Sequence, residues 1–423
     1  MDFSYKHRIA DEILVGKLAS KGAVLIEGLK WCGKTTTARM HAKSVLLMDE
    51  ERQNNIALAD FAPSALLDGE TPRLIDEWQL APKLWDAVRL EVDKRQKMGQ
   101  FILTGSTTPY SREEIHHSGT GRFTRLLMRT MSLFESLDSN GSVSLKGLFE
   151  SPSQIRGKAE IDIRKLAYLV CRGGWPMAIS LSESDSLKQA FDYVDALIEW
   201  DLKRLGGIFS NTQRARKIMR CYARQQGTQV SDNKLLDDIA SGASGAFSIK
   251  ALGTFLAALN DMFVIEEMPA WSPNLRSKTA IRKANTRYFS DPSIATASLG
   301  LGPGDLLSDL NTFGLLFEAL AIRDLRIYAE ALDGSVYHYR DKSGLECDAV
   351  IHLRNGKYGL AEIKLGGDRL IEEGVRNLKK LSSTIDFEKM GAPSFLAVIT
   401  GVGDYAYMNG DGVCIVPIGA LRD

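Results

Sequence analysis

The sequence predicts an α/β protein of several domains, and three observations carry that prediction. Short, near-continuous apolar runs at residues 23–26, 74–75 and 101–103 read as parallel strands buried on both faces. The first runs straight into a glycine-bounded loop and then the helix-compatible stretch TTTARMHAK. Toward the other end of the chain, residues 314–401 give the order helix, three strands, helix, strand.

At 423 residues the chain exceeds one ordinary core, so about two to four domains are expected. Hydrophobic residues make up 44% and charged residues 25%, the profile of a soluble globular protein. No apolar run is long enough to span a bilayer, and MDFSYKHRIADEIL carries charges where a signal peptide needs an apolar core. The expectation is a cytoplasmic protein with no membrane partner. Cys32, Cys171, Cys221, Cys347 and Cys414 form no CxxC pairs and have no neighbouring histidines, which argues against a zinc site or a disulfide framework. Basic and acidic residues balance at 53 each, so any nucleic-acid affinity has to come from local patches.

The loop GLKWCGKT (28–35) is GxxxxGK[ST] in a strand–loop–helix setting. Gly28 and Gly33 let backbone N–H groups wrap phosphates, with Thr36 on the following first turn. Lys34 would neutralise the β- and γ-phosphates of ATP and Thr35 would hold Mg²⁺. Downstream, Leu74-Ile75 ends in Asp76 and Glu77, which suit the Mg²⁺ ligand and the base that orients the attacking water. A helix start with two acids against its dipole is the plainer reading of the same pair. A third strand ends near Gly105, where Ser106, or less favourably Thr104, could touch the γ-phosphate. In GTGRFTRLLMR, Arg122 is the choice for a finger reaching a neighbour's γ-phosphate, over Arg125 and Arg129. The competing reading is three arginines on a solvated strand face.

GLKWCGKT, LIDEWQ (74–79), ILTGS (102–106), GTGR (119–122) and MSLFES (131–136), in this order, resemble the prokaryotic AAA+-type ATPases that carry a carboxy-terminal domain of unknown function. GGWP (173–176), YFSDPSIA (288–295), LLFEALAIRDL (315–325) and the opening segment resemble that family too, so the likeness spans nearly the whole chain. Lys30-Trp31-Cys32 stands where the family usually has RQV or similar, at positions that use backbone groups. The resemblance implies an AAA+ P-loop core over 1–135 and a helical lid over 136–210, in which Arg172 is a guess for a second sensor. A site needing a neighbour's arginine implies a homo-oligomer, up to a hexameric ring.

From Thr212 a basic helix, two further helices and a strand, FVIEEMPAW, follow in the order of a winged helix, placed at 211–300. Arg214 and Arg216 on the first helix, and Arg276, Lys278, Arg282 and Lys283 in the wing, are the candidate DNA contacts. Subunit packing with solvated basic residues is the alternative for this module.

Residues 301–423 set out the layout of a PD-(D/E)xK nuclease core. Its candidate metal ligands are Glu318 on a helix, Asp348 on one strand and Glu362 on the next, with Lys364 two residues on to face the attacking water and the phosphate. The family resemblance also implies a nuclease-like fold here. The leading reading is therefore an ATP-hydrolysing motor that binds duplex or branched DNA in repair or recombination, with an end that binds or cuts DNA in a metal-dependent way. The rival is a regulatory or signalling ATPase whose winged-helix and inactive nuclease-like domains bind protein partners.

Overall fold

The computed structural model describes residues 5–106, 117–240, 247–272 and 284–423. It divides into two compact units, one holding residues up to Thr130 with Asp261–Phe263, the other Met131–Asn260 and Val264–Asp423.

The first unit is built on strands β1 (Ala23–Glu27), β2 (Ser44–Leu47), β3 (Arg73–Asp76), β4 (Phe101–Gly105) and β5 (Phe123–Leu127). All pair parallel, in the spatial order β2-β3-β4-β1-β5. β1 and β4 are buried along almost their whole length, which is why they read as unbroken apolar runs. The helix Lys83–Arg95 inserts Leu84, Trp85, Val88 and Val92 among Leu25, Ile75, Phe101 and Leu103. Trp85 stacks on Phe123 at 3.9 Å between ring centroids. Because the strands run parallel and in register, the chain leaves β1, β3 and β4 at one edge of the sheet, where ligands of open α/β sheets bind.

In the second unit the strands are β6 (Val143–Ser144), β7 (Gly157–Lys158), β8 (Gly334–Arg340), β9 (Glu346–Leu353), β10 (Tyr358–Lys364), β11 (Phe395–Thr400), β12 (Tyr405–Met408), β13 (Cys414–Pro417) and β14 (Leu421–Arg422). Seven of them form one sheet, in the order β7-β12-β13-β11-β10-β9-β8. β6 pairs with β14, and β7 with β12, so part of the segment expected to be a helical lid belongs to sheets completed near the end of the chain. Two-residue strands leave no alternating pattern to read, since their pairing is set by distant backbone. Helices Ile163–Arg172 and Glu183–Ala196 occupy the later part of that segment. Arg172 is buried in an ion pair with Asp138 at 2.8 Å and donates to Ser136, which accounts for it structurally.

Helices Thr212–Ala223, Asp232–Ala240 and Ile249–Asp261 follow, and then antiparallel bridges join Ile265 to Phe289 and Met268 to Thr286. Arg276, Lys278, Arg282 and Lys283 lie outside the described residues. Helix starts are fixed by side-chain caps, such as Asp162 accepting from Lys165 N at 2.7 Å and Asn211 from Arg214 N at 2.9 Å.

A buried polar centre ties the second unit together. Arg323, on the helix Leu310–Ala331, pairs with Asp291 at 3.0 Å and Asp324 at 2.7 Å, all three removed from solvent. Asp291 also accepts from the backbone of Gly174 and Ser293, and Asp324 from Leu133 N. The segments MSLFES, GGWP, SDPS and IRDL thus meet around one guanidinium. Among the described residues no helix is long and apolar enough to cross a membrane.

Candidate nucleotide site and carboxylate cluster

β1 delivers the chain into the loop 28–33. Gly28 has φ 146°, and a Cβ there would sit 2.0 Å from the Met128 carbonyl oxygen, so glycine alone fits. Gly33, at φ 102°, caps the helix Lys34–His41. The loop and the helix N-terminus together form an anion cradle. Lys34 is buried, and its ammonium donates to the carbonyls of Gly28 at 2.9 Å and Leu29 at 2.5 Å. Phosphate oxygens would compete for those same donors. Thr36 is exposed on the first turn.

Thr35 Oγ1 donates to Asp76 Oδ1 at 2.8 Å, which brings the loop hydroxyl and the end of β3 to one point. The Thr104 hydroxyl, from β4, donates to the same carboxylate oxygen. Thr104, the less favoured of the two sensor candidates, is therefore the partner of Asp76, whereas Ser106 Oγ reaches only Glu77, at 3.5 Å. Glu77 stands at φ 56° and accepts from the side-chain amide of Gln79. Burial, and then the neighbouring Asp76 carboxylate, raise the Glu77 pKa from its ordinary value, against Gln79 and Lys34. A raised carboxylate is better suited to take a proton from water. The sequence reading missed Gln79; its signal was its place two residues after Glu77 in LIDEWQ.

Arg122 does not face this site. It precedes β5, its carbonyl accepting from Ala23 N at the start of β1, while the phosphate loop follows the far end of β1. A five-residue strand spans roughly 16 Å. Its guanidinium pairs instead with Asp93, at 2.8 Å and 3.2 Å. Arg125 likewise pairs with Glu27 at 3.5 Å.

In the second unit Glu318, Asp348, Glu362 and Lys364 do come together. Lys364 Nζ lies 2.7 Å from Glu362 and 3.4 Å from Asp348, and Asp348 also accepts from Ile363 N at 2.7 Å. Glu318 accepts from the Tyr288 hydroxyl at 2.5 Å. Glu362 is 2% exposed, whereas Asp348 and Lys364 are each 19% exposed, so the cluster meets solvent through those two side chains. Burial, and next the Asp348 carboxylate, push Glu318 and Glu362 up to about 8. Burial works against the Lys364 ammonium, but Asp348 and Glu362 outweigh it and raise its pKa. These oxygens are of the kind Mg²⁺ takes. Yet among the described residues no group of three or more His, Cys, Asp or Glu is spaced to hold a metal ion. The Lys364 ammonium bonds both Asp348 and Glu362, and Glu318 is engaged by Tyr288. Strand spacing gives a shared side, but it does not say which charge will fill the gap. Glu346, which shares the Asp348 side by alternation, forms an exposed ion pair with Arg340.

Of the described DNA-contact candidates, Arg216 is neutralised by Asp195 at 2.6 Å and Glu199 at 3.1 Å. Arg214 lies 5.4 Å over the Phe247 ring.

The glycine loop, its helix and the Thr35–Asp76–Glu77 arrangement define a P-loop ATPase domain, and the AAA domain family matches residues 20–137. The first unit is thus an ATP-using domain of the AAA/P-loop class. Two domains of unknown function match elsewhere, one over residues 163–305 (DUF8612) and one over 313–421 (DUF4143). The chain is 25% identical over 404 residues to the uncharacterized protein Rv2008c of Mycobacterium tuberculosis and, equally, to the uncharacterized protein Mb2031c of Mycobacterium bovis, covering 93% of this chain and 79% of each relative. Among solved structures, a Walker-type ATPase of Pyrococcus abyssi aligns at 14% identity and a TM-score of 0.42, over 70% of this chain and 99% of that one.

Proposed function

We propose that the protein is an ATP-driven motor that works on DNA, with the hydrolytic step carried by Thr35, Asp76 and Glu77. The observation behind the hydrolytic step is the convergence of the Thr35 and Thr104 hydroxyls on one oxygen of Asp76, with Glu77 beside it and raised in pKa. Thr35 and Asp76 fit a Mg²⁺ ion, which when bound would neutralise charge on the β- and γ-phosphates. Lys34 exchanges its bonds to the Gly28 and Leu29 carbonyls for phosphate oxygens. Glu77, oriented by Gln79, takes the proton of the attacking water.

Support for DNA as the partner is in the sequence between Trp271 and Ser290, which holds five basic residues and no acid. Of these Arg287 is buried and paired with Asp232 and Glu267, and the other four lie outside the described residues. The helices 212–261 and the extended pair after them are read as a winged helix. Branched DNA, repair and recombination are the setting this reading favours. A second copy of the chain, in an oligomer up to a hexameric ring, would be needed for Arg122 to reach a γ-phosphate.

One observation favours the regulatory reading. Lys364 is bonded to Glu362 and Asp348, so the carboxy-terminal cluster is already ion-paired, as suits an inert module that binds a protein partner. ATP hydrolysis measured without DNA and with single-stranded, duplex and junction DNA separates the two. A DNA-driven motor shows stimulated turnover and an affinity that drops steeply with salt. Turnover indifferent to every DNA form sinks the motor and leaves a regulatory ATPase. Cleavage lost in Asp348→Ala would restore the nuclease, and equal products from both proteins would remove it.

A further inference from the structure

The segment before the first strand is bound to the phosphate loop by contacts that the nucleotide chemistry above does not use. Arg8 is 3% exposed, and its guanidinium donates to the carbonyl of Cys32, inside the loop, at 2.9 Å. Its other terminal nitrogen donates to the carbonyl of Arg129, just beyond β5, also at 2.9 Å. Cys32 Sγ donates to the Met128 carbonyl at 3.3 Å. Cys32 is therefore held against the exit of β5 by both its backbone and its side chain.

Arg8 is itself fixed from behind. It precedes the helix Ile9–Ser20, and its N–H donates to Asp11 Oδ2 at 2.7 Å. Asp11 is buried and bonds the Tyr5 hydroxyl at 2.7 Å and His41 Nε2 at 2.8 Å. Tyr5 also meets Thr37 Oγ1 at 3.0 Å. Thr37 and His41 lie one turn apart on the helix that follows the phosphate loop. One short segment thus grips both the loop and its helix.

We infer that Arg8 is a positioning residue for the nucleotide, holding the Cys32–Gly33 peptide so that the Gly33 N–H points into the phosphate cradle. In a trans peptide the carbonyl and the following N–H point in opposite directions. With the Cys32 carbonyl drawn outward onto Arg8, the Gly33 N–H faces inward, where a phosphate oxygen accepts it. The guanidinium adds a fixed positive charge behind the loop, and its planar fork spans two carbonyls where a lysine ammonium meets one with the same geometry. Because the bond is to the loop and not to Asp76 or Glu77, its effect falls on nucleotide binding more than on the chemical step.

This inference rests on the ATPase reading, and full-length wild type, Arg8→Ala, Arg8→Lys and Lys34→Ala test both. The readouts are MgATP turnover and binding of a fluorescent ADP analogue. Arg8→Ala is expected to raise KM and weaken ADP-analogue binding about tenfold or more, with kcat changed much less. Millimolar guanidinium ion should recover part of the Arg8→Ala loss and none of the Lys34→Ala loss. Arg8→Lys should fall between wild type and Arg8→Ala, and it carries the test alone should Arg8→Ala not fold. Wild-type KM and binding in folded Arg8→Ala or in Arg8→Lys overturns the inference, as does a fall in kcat at constant KM. Undiminished turnover in Lys34→Ala overturns the ATPase reading itself, a result distinct from either.

Discussion

Asp76 and Glu77 are neighbours in sequence and are held in different ways. Asp76 is tied by two hydroxyls, whereas Glu77 is bent out at positive φ and, among the described residues, meets Gln79 and, at long range, Ser106. Replacing Glu77 with Gln should lower kcat by about 10²–10⁴-fold, the usual contribution of a general base, while ATP still binds. Rapid-quench turnover together with nucleotide binding checks this; equal losses in both would place Glu77 in binding. Thr104→Val removes one of the two donors to Asp76, and a hydrogen bond to a charged group contributes about 1.5–3 kcal/mol. A drop in turnover of about ten- to a hundredfold is expected. Ser106→Ala, which removes only the 3.5 Å contact, should cost less. The reverse order in a side-by-side assay would return the sensor role to Ser106.

At the scale of elements, the helix Leu310–Ala331 matters through what it buries. Arg323 sits between Asp291 and Asp324, away from solvent, and removing Asp291 breaks one of its two buried ion pairs and leaves the Gly174 and Ser293 N–H groups without their acceptor. Asp291→Ala should therefore destabilise the second unit by about 3–5 kcal/mol, read as a lower urea midpoint by circular dichroism. A midpoint within error of wild type would show that the pair is dispensable. Gly28→Ala acts differently, because its Cβ would collide with the Met128 carbonyl at a backbone angle alanine avoids. Nucleotide binding should be lost while the second unit melts as before, which limited proteolysis with and without ATP can follow.

For the whole molecule, the carboxylate cluster sets a pH response. Glu318 and Glu362 move from the ordinary 4.5 up to about 8 in the fold. As pH rises above 4.5 the unfolded chain releases protons that the folded unit keeps, so their contribution is full below 4.5 and is lost as pH climbs through about 8. The melting temperature of the wild type should fall across that window relative to Glu362→Gln, which has one fewer group to titrate. Parallel pH profiles for the two proteins would show that Glu362 ionises as it does in the unfolded chain.

Much of this protein was legible in its sequence because the signals are local. A phosphate loop needs glycines at set places, a buried parallel strand needs an apolar run, and an acid pair at a strand end keeps its spacing in any fold. Gly28, Lys34, Thr35, Asp76 and Glu77 were singled out that way, and Asp348, Glu362 and Lys364, picked out by the same local spacing, lie together in the fold. What depends on distant chain was not legible. Thr104 meets Asp76 only because β3 and β4 are neighbours in register, and Arg122 is turned from its own loop because β5 runs parallel to β1. The joining of residues 143–158 to the last strands needed pairings about 250 residues or more apart, which no local pattern encodes. Sequence determined which glycines, hydroxyls, carboxylates and ammonium groups the chain carries at the loop and at the strand ends. Tertiary structure decided their partners, placing Arg8 behind the loop and the Lys364 ammonium against Asp348 and Glu362, because a charge in a buried site is settled by whatever opposite charge the fold brings closest.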